Sequence, residues 1–322
     1  MTKRREPSEE AVILLGDTHV GKWTPHYNLK VAASSFWYVK DSALRILGRY
    51  PSISKIHILL LGDIVEGEEV YPEQSHFLDF IDPDRLKEYG VSETSTLPTT
   101  PAYLQVVLSA QLVAAFIRSF TSHGYMVEVA GVIGNHGRSQ RRFHPLTNYD
   151  AFVYALLQKE MRGEKGVELH PLSISWRFQF HQHEVLGRKI VMLHNAEFRC
   201  YQGIPFYSII NKVHRWCGQG VLPSDVSIVA VGHFHVPFIF YGFPTIIVNG
   251  TTVTSDDPYP IVRLGFRSSN IQLMLIISEE KELPTVYALP SLPNWAAPLF
   301  EGDVHGLGEG AGGLQERKQR KV

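Results

Sequence analysis

Residues 56–67, IHILLLGDIVEG, join an apolar run directly to a glycine and an aspartate. Four further apolar runs also lead into polar residues suited to binding a metal. They are Ala11–Leu15 before GDTH, Met126–Ile133 before GNH, Ile190–Leu193 before His194, and Val226–Val231 before GHFH. Continuous apolar runs of this kind are typical of strands that are buried on both faces of a sheet. Open α/β sheets carry their chemistry beyond the carboxyl ends of their strands, so we expect these polar side chains to meet at one edge.

The pattern around these runs alternates strands with helices in the first half of the chain. Amphipathic periodicity predicts helices at Leu29–Leu47, Ala102–Ser122, about 146–161 and Phe206–Trp216. After Val231 the chain has the pattern of strands, in PFIFY, TIIVN, IQLMLII and PTVYAL. An alternating first half and a β-rich second half predict an α/β fold in which two mixed sheets pack face to face with helices outside.

Three histidines lie outside the strand ends and are not predicted to bind metal. Two β-rich runs, Ser173–Phe180 and Val185–Leu193, predict a hairpin with a polar turn between them. His181 and His183 fall in that turn and are expected at the surface. His57 lies inside an apolar strand and is expected to be a hydrogen-bonded core residue.

Length and turn signals predict one domain over residues 1–300. A polar, acidic insertion at about 66–100 is longer than most loops of a compact fold, and the favoured interpretation is a solvated loop. The glycine-rich segment 301–322, which ends in QERKQRKV, predicts a disordered tail.

Composition narrows the class of protein. The 31 Lys and Arg nearly balance the 32 Asp and Glu, so a nucleic acid would have to be bound by a local basic patch. The two cysteines are too few for a disulfide scaffold, and the N-terminus lacks the apolar core of a secretory signal. We therefore expect a cytoplasmic protein that does not bind membranes.

The polar residues at the strand ends form a mixed set of oxygen and nitrogen donors. Asp17 and His19 are two residues apart, as are His233 and His235, so each pair can lean toward one side. Carboxylate, amide and imidazole groups without thiolate suit manganese, iron or zinc better than calcium. The sequence predicts a site for divalent cations, in which the Asp63 carboxylate can bridge two ions.

The sequence resembles the signature of the calcineurin-like metallophosphoesterases over roughly residues 11–255. It carries the motifs GDTH, GDIVEG, GNHG, LHN and GHFH in the order of that signature. The resemblance implies a four-layer α/β/β/α sandwich. It also implies a metal-dependent phosphoesterase with two divalent ions, for which we expect Mn²⁺, with Fe, Zn, Mg or Ni as alternatives. Hydroxide held between the two ions would attack phosphorus, with Asp63 shared by both ions.

The resemblance assigns a role to each matching residue. The first ion is expected on Asp17, His19, Asp63 and His235, and the second on Asp63, Asn135, His194 and His233. His136 matches the catalytic histidine of the family, which faces the substrate and donates a proton to the leaving oxygen or stabilises its charge.

One position departs from the family pattern. An acidic residue usually follows GNH and orients the histidine, whereas this chain has Gly137. Either Asp150 or Glu66 takes that role, or His136 acts without a partner.

Basic residues next to the motifs suggest the kind of ester. Arg138, Arg141 and Arg142 follow the GNH loop and Arg199 follows His194, where they could track a phosphate backbone. A solvated basic loop explains the first three equally well. The order of motifs most resembles the nuclease-like branch that includes the bacterial SbcD exonuclease subunit, in a stand-alone, phage-type form.

We therefore expect a phosphodiesterase or nuclease that acts on DNA, RNA or nucleotides. A phosphomonoesterase, including a protein phosphatase, would share the same central site. A third interpretation is a non-catalytic subunit of a DNA-processing complex that keeps the fold as a scaffold. Self-association into a homodimer is left open by the sequence.

Overall fold

Two β-sheets are built from eleven strands in the part of the chain that the computed structural model describes, which comprises residues 8–22, 24, 26–68, 70–71, 74, 101–139, 147–170, 180–194, 198, 205–255, 257 and 259–292. The strands are β1 (Glu9–Leu15), β2 (Lys55–Leu60), β3 (Met126–Gly131), β4 (Val167–Leu169), β5 (Phe180–Val185), β6 (Arg188–His194), β7 (Val226–Gly232), β8 (Phe238–Phe240), β9 (Thr245–Val248), β10 (Ile271–Ser278) and β11 (Thr285–Pro290). The helices are α1 (Leu29–Leu47), α2 (Ala102–Thr121), α3 (Tyr149–Glu160) and α4 (Phe206–Gly218), with a single π-helical turn at Pro260–Leu264.

Both sheets mix parallel and antiparallel pairs. The first has the order β11-β10-β1-β2-β3-β4, in which β1 to β4 are parallel, β10 pairs antiparallel with β1, and β11 pairs antiparallel with β10. The second has the order β5-β6-β7-β9-β8, with β6, β7 and β9 parallel and an antiparallel strand at each edge. The carboxyl ends of the parallel strands of each sheet therefore lie at a common edge.

The continuous apolar runs arise because the central strands are buried on both faces. In β1, Val12 and Leu14 join a core between the two sheets, whereas Ile13 and Leu15 face the opposite way and join a core with the helices. The core between the sheets also contains Met192 of β6 and Ala230 of β7. Shared burial of this kind fixes the two sheets face to face.

Helices cover the outer faces of both sheets. Phe36 of α1, Phe116 of α2 and Tyr154 of α3 are buried against the first sheet. Ile209 and Val213 of α4 are buried against the second. The four-layer α/β/β/α order expected from the sequence is confirmed.

Helix α2 is long and apolar enough to cross a membrane by length and composition alone, although half of its most apolar window is buried inside the protein. It packs against α1, α3 and β3. Val113, Phe116 and Phe120 are fully buried in the core of the first sheet. This core packing accounts for its hydropathy.

The hairpin of β5 and β6 is present, but its turn lies later in the chain than expected. The strands pair from Phe180 with Leu193 to Val185 with Arg188, so Leu186 and Gly187 form the turn. Both have positive φ, 49° and 73°, as a two-residue type I′ turn requires. The polar segment around His183 is therefore strand, and His183 is 5% exposed, so its expected surface position was wrong.

Several sequence expectations fall outside the described residues. These are most of the acidic insertion at 66–100, the tail at 301–322, and the three arginines Arg141, Arg142 and Arg199. They stay predictions, as does the extent of the domain.

Candidate metal centre

All seven predicted ligands lie at the carboxyl ends of parallel strands. Two follow β1, one follows β2, one follows β3, one ends β6 and two follow β7: Asp17, His19, Asp63, Asn135, His194, His233 and His235. The two sheets meet here. Nδ1 of His194 donates to the Leu61 carbonyl at 2.7 Å, and the His233 backbone N–H donates to the Asp17 carboxylate at 2.9 Å. The structure therefore brings the strand-end residues of both sheets together.

Most of these residues adopt a backbone conformation that is costly for residues other than glycine. Five have φ in the left-handed region: Asp17 (51°), His19 (43°), Asp63 (49°), His233 (92°) and His235 (59°). Such conformations cost on the order of 1–3 kcal/mol each and are concentrated at functional sites. Their clustering at one end of the sheets points to a site that requires this geometry.

Glycines in the GD and GN motifs allow the β2 and β3 loops to touch. A Cβ on Gly62 would lie 2.6 Å from the Gly134 nitrogen, and one on Gly134 would lie 2.1 Å from Oδ1 of Asp63. A side chain at either position would force the loops apart. The glycines therefore set the distance between Asp63 and Asn135.

The first donor group consists of Asp17, His19 and His235. Nε2 of His19 lies 3.0 Å from Nε2 of His235, which lies 3.4 Å from Oδ1 of Asp17. All three side chains are buried. One oxygen and two nitrogens thus converge on a single point.

The second donor group consists of Asp63, His194 and His233, with Asn135 beside it. Nε2 of His194 lies 2.9 Å from Oδ2 of Asp63 and 2.9 Å from Oδ1 of Asn135. Donor atoms of Asp63 and His19 also lie within 4.8 Å of each other. Asp63 therefore stands between the two groups.

Further groups hold the ligand imidazoles in orientation. Nδ1 of His19 contacts Oε2 of Glu66 at 2.6 Å, and Nδ1 of His235 contacts Oδ2 of Asp257 at 2.6 Å. Carboxylates on the far nitrogen fix the tautomer and strengthen a histidine as a ligand. Sequence reasoning missed Asp257, which lies well beyond the end of β9 and outside any strand-end motif.

The carboxylates give the site a strongly negative field. Burial alone would lower the pKa of His235, but Asp257 and Asp17 raise it to about 10. Burial likewise opposes protonation of His194, yet the Asp63 carboxylate raises its pKa to about 9. The same field would attract divalent cations in place of these protons.

His136 lies next to both donor groups, and its side chain is 18% exposed. Its Nδ1 lies 3.3 Å from Oε2 of Glu66, and its ring lies 4.7 Å from that of Tyr71. Burial lowers the pKa of His136, but Glu66 and Asp63 outweigh this effect and raise it. Glu66 is therefore the acid that contacts this histidine.

Gly137 is explained by its neighbours. A Cβ at this position would lie 2.5 Å from Oδ1 of Asn148, the residue that caps α3. No acidic side chain fits here without displacing that cap. The Asn148 cap therefore explains the glycine, and Glu66 supplies an acid that contacts His136 from another loop.

Asp150, the other acid considered as a partner of His136, has a different role. Its carboxylate accepts backbone N–H groups of Asp63 (2.9 Å), Ile64 (3.1 Å), Val65 (3.3 Å) and Gly134 (2.8 Å). It therefore fastens the loop after β2 to the loop after β3. Burial raises its pKa to about 6, and the nearby Asp63 charge acts in the same direction.

A cavity of about 130 Å³ opens beside the donor groups. Its walls include His136, two tyrosines and three charged side chains: Tyr71, Tyr259, Lys22, Asp257 and Arg263. Arg138, a predicted substrate contact, donates from Nε to the Asn135 carbonyl at 2.7 Å and also bonds the Tyr71 hydroxyl. Arg138 thus braces the GNH loop, and Arg263 is the exposed arginine on the cavity wall.

The donor chemistry fits a pair of divalent ions. Carboxylate, amide and imidazole donors match manganese, iron or zinc, and a carboxylate between two groups matches a shared ligand. Metal binding by these residues stays a prediction.

No known family model and no curated protein matches the sequence. Similar solved structures include a predicted phosphoesterase from Streptococcus pneumoniae, with a TM-score of 0.33 and 11% identity over 87% of this chain and 98% of that chain. Another is Vps29 with Zn²⁺ from Entamoeba histolytica, with a TM-score of 0.34 and 10% identity over 88% of this chain and 99% of that chain. A third is purple acid phosphatase PPD1 from yellow lupin, with a TM-score of 0.37 and 11% identity over 84% of this chain and 50% of that chain. Similarity this weak assigns neither a family nor an activity.

Proposed function

We propose that this chain is a phosphoesterase that uses two divalent cations, and that its substrates are phosphodiesters of nucleic acid or nucleotides. One observation carries the proposal. Asp63 stands between two donor groups, and His136 lies beside both at the wall of a cavity. The ordered motifs that resemble the calcineurin-like metallophosphoesterases support it, and we propose Mn²⁺ as the preferred ion.

Different residues would bind the ions and transfer the proton. Asp17, His19 and His235 would hold one ion, and His194, His233 and Asn135 the other, with Asp63 shared. Bound divalent ions would neutralise charge on a phosphate group and supply a nucleophile from water at neutral pH.

His136 would complete the reaction as a general acid. Glu66 contacts Nδ1, which leaves a proton on Nε2 for transfer to the departing oxygen. Glu66 and Asp63 raise the pKa of His136, which favours the protonated form that such a step needs. The proton would pass to the ester oxygen that leaves when its bond to phosphorus breaks.

The side chains that line the cavity suit a nucleotide or nucleic-acid ester as the substrate. Arg263 offers positive charge to phosphate, and Tyr259 offers an aromatic ring beside His233 and His235. The nuclease-like branch named by the motif order fits the same substrate class.

Turnover of matched esters tests the proposal. The metal-stripped protein, reloaded with Mn²⁺, should hydrolyse bis(p-nitrophenyl) phosphate faster than p-nitrophenyl phosphate. It should also cleave labelled single- or double-stranded DNA or RNA. Preference for the monoester would identify a phosphatase, and inactivity at full metal loading would identify a non-catalytic scaffold; either result would overturn the proposal.

A further inference from the structure

A second cluster of histidines and carboxylates lies at the opposite end of β2 from Asp63. It joins His57 of β2, Glu128 of β3 and His183 of β5, whose donor atoms lie within 4.8 Å of one another. These residues belong to neither donor group of the candidate metal centre. The cluster therefore requires its own explanation.

Its three donor atoms are spaced like the ligands of one small cation. Nδ1 of His57 lies 2.8 Å from Nε2 of His183 and 3.3 Å from Oε2 of Glu128. The His183 nitrogen lies 3.7 Å from the same oxygen. Tetrahedral Zn²⁺ with bonds of about 2.0–2.1 Å places its ligand atoms about 3.3 Å apart.

The cluster lies between the two sheets. His57 alternates with Leu59 in β2, Glu128 with Ala130 in β3, and His183 with Val185 in β5. All three of those apolar partners, Leu59, Ala130 and Val185, belong to the core between the sheets. An ion here would join the first sheet to the edge strand of the second.

The surroundings orient these side chains as they would orient metal ligands. Oε2 of Glu10 lies 2.7 Å from Nε2 of His57, so that nitrogen is the donor and Nδ1 keeps its lone pair. Lys55 pairs with Oε1 of Glu128, which leaves Oε2 toward the histidines. The Glu128 side chain is 13% exposed, and the His170 side chain beside it is 30% exposed, so an ion has a route in.

Nδ1 of His57 faces two groups at once, Nε2 of His183 at 2.8 Å and Oε2 of Glu128 at 3.3 Å. A proton on Nδ1 can be directed at only one of them, whereas a cation between the three atoms would contact all three. Nearby, Nδ1 of His181 is buried without a hydrogen-bond partner among the described residues.

We propose that His57, Glu128 and His183 form a Zn²⁺ site that links the two sheets at the end away from the candidate metal centre. Two imidazoles and one carboxylate leave a fourth position for water or for His170, whose Nε2 lies 3.2 Å from the same Glu128 oxygen. The site does not depend on the proposed phosphoesterase function.

Zinc stoichiometry tests this site directly. The full chain would be stripped with chelator, reloaded with Zn²⁺, freed of excess metal and analysed by elemental mass spectrometry. His183→Ala and the size-matched Glu128→Gln should each bind one equivalent less than the unmodified chain. Asp63→Asn, which disrupts the other site, should keep this equivalent. Glu10→Gln should weaken its affinity about 10–100-fold.

His181→Ala is the matched control, because His181 lies on the same strand but outside the three-atom group. It should bind as much zinc as the unmodified chain. In the Asp63→Asn background, Zn²⁺ should raise the melting temperature, and adding Glu128→Gln should abolish that rise. Unchanged zinc content in both His183→Ala and Glu128→Gln would identify a hydrogen-bonded cluster only. Equal zinc loss in His181→Ala would overturn the ligand assignment.

Discussion

Asp63 and His136 contact different parts of the site, although the Asp63 carboxylate accepts the His136 backbone N–H at 2.7 Å. Asp63 belongs to the second donor group and also lies within 4.8 Å of His19 in the first, whereas the His136 side chain lies at the cavity wall. Substituting Asp63 should therefore affect metal binding, whereas substituting His136 should affect the rate of hydrolysis.

We expect Asp63→Asn to lose bound metal and turnover together, because the amide lacks the charge that a shared ligand supplies. His136→Ala should keep its metal and slow hydrolysis about 10²–10⁴-fold, the range for loss of a general acid. Metal content and the rate with a labelled oligonucleotide, whose alkoxide leaving group needs a proton, would be measured on the same samples. Asp41→Asn on the surface of α1 is the control. Equal metal loss in both site variants would refute the division of roles.

The negative charge of Glu66 should raise the pKa of His136. Its carboxylate stabilises the protonated imidazole, so Glu66→Gln should lower the His136 pKa and shift the alkaline fall of kcat/KM to lower pH. Profiles would be recorded at saturating metal because Glu66 also contacts His19. Glu66→Asp should shift the profile less. A profile that keeps its midpoint in Glu66→Gln would remove Glu66 from this role.

Arg263 should contribute to substrate binding rather than to chemistry. Arg263→Ala should raise KM for a nucleic-acid substrate, leave kcat nearly unchanged and reduce the salt dependence of binding by about one charge. Arg267→Ala is the matched control, since Arg267 is also exposed but does not line the cavity. The same effect in both variants would indicate general electrostatics instead of a contact at the site.

At the scale of elements, the loops after β2 and β3 depend on one buried carboxylate. Asp150, in the first turn of α3, accepts four backbone N–H groups from these loops. An asparagine there would turn an NH₂ group toward N–H donors that need an acceptor. We expect Asp150→Asn to reduce the free energy of unfolding by about 1–3 kcal/mol.

Urea denaturation in chelator would measure this loss without a contribution from metal. Asp41→Asn, on the exposed face of α1, should change the unfolding free energy by less than about 0.5 kcal/mol. If Asp150→Asn unfolds at the same urea concentration as the unmodified chain, the carboxylate does not fasten the loops.

Register also acts at the scale of elements. Because the β5–β6 turn lies at Leu186–Gly187, the polar segment at 181–184 is strand and not turn. Successive strand residues point to opposite faces, so His183 turns into the space between the sheets and meets His57. Polar composition alone favoured a turn, whereas Gly187 was the signal that marked its true place.

At the scale of the whole molecule, the two sheets bring four carboxylates to one end: Asp17, Asp63, Glu66 and Asp257. Burial lowers the pKa of both His194 and His235, but Asp63 and Asp17 raise that of His194 to about 9, and Asp257 and Asp17 raise that of His235 to about 10. A protonated imidazole cannot bind metal, so metal must displace these protons. Affinity for Mn²⁺ should therefore rise with pH until about pH 9–10 and fall in acid.

Calorimetric titration in buffers of different ionisation enthalpy would measure both the affinity and the protons released. His214→Ala, an exposed histidine on α4, should leave the pH dependence unchanged. Proton release that does not exceed zero near neutral pH would contradict the raised pKa values.

The sequence by itself determined the central apolar strands, the four helices and the set of strand-end donors, because apolar runs and the residues that end them are local features. Tertiary structure alone decided that Glu66 rather than Asp150 contacts His136, that Asn148 occupies the space beside Gly137, and that Asp257 joins the site. These outcomes depend on which distant segments touch, and sheet order and register set those contacts. The same reason explains His57, Glu128 and His183, which come from three separate strands and meet only when both sheets are in place.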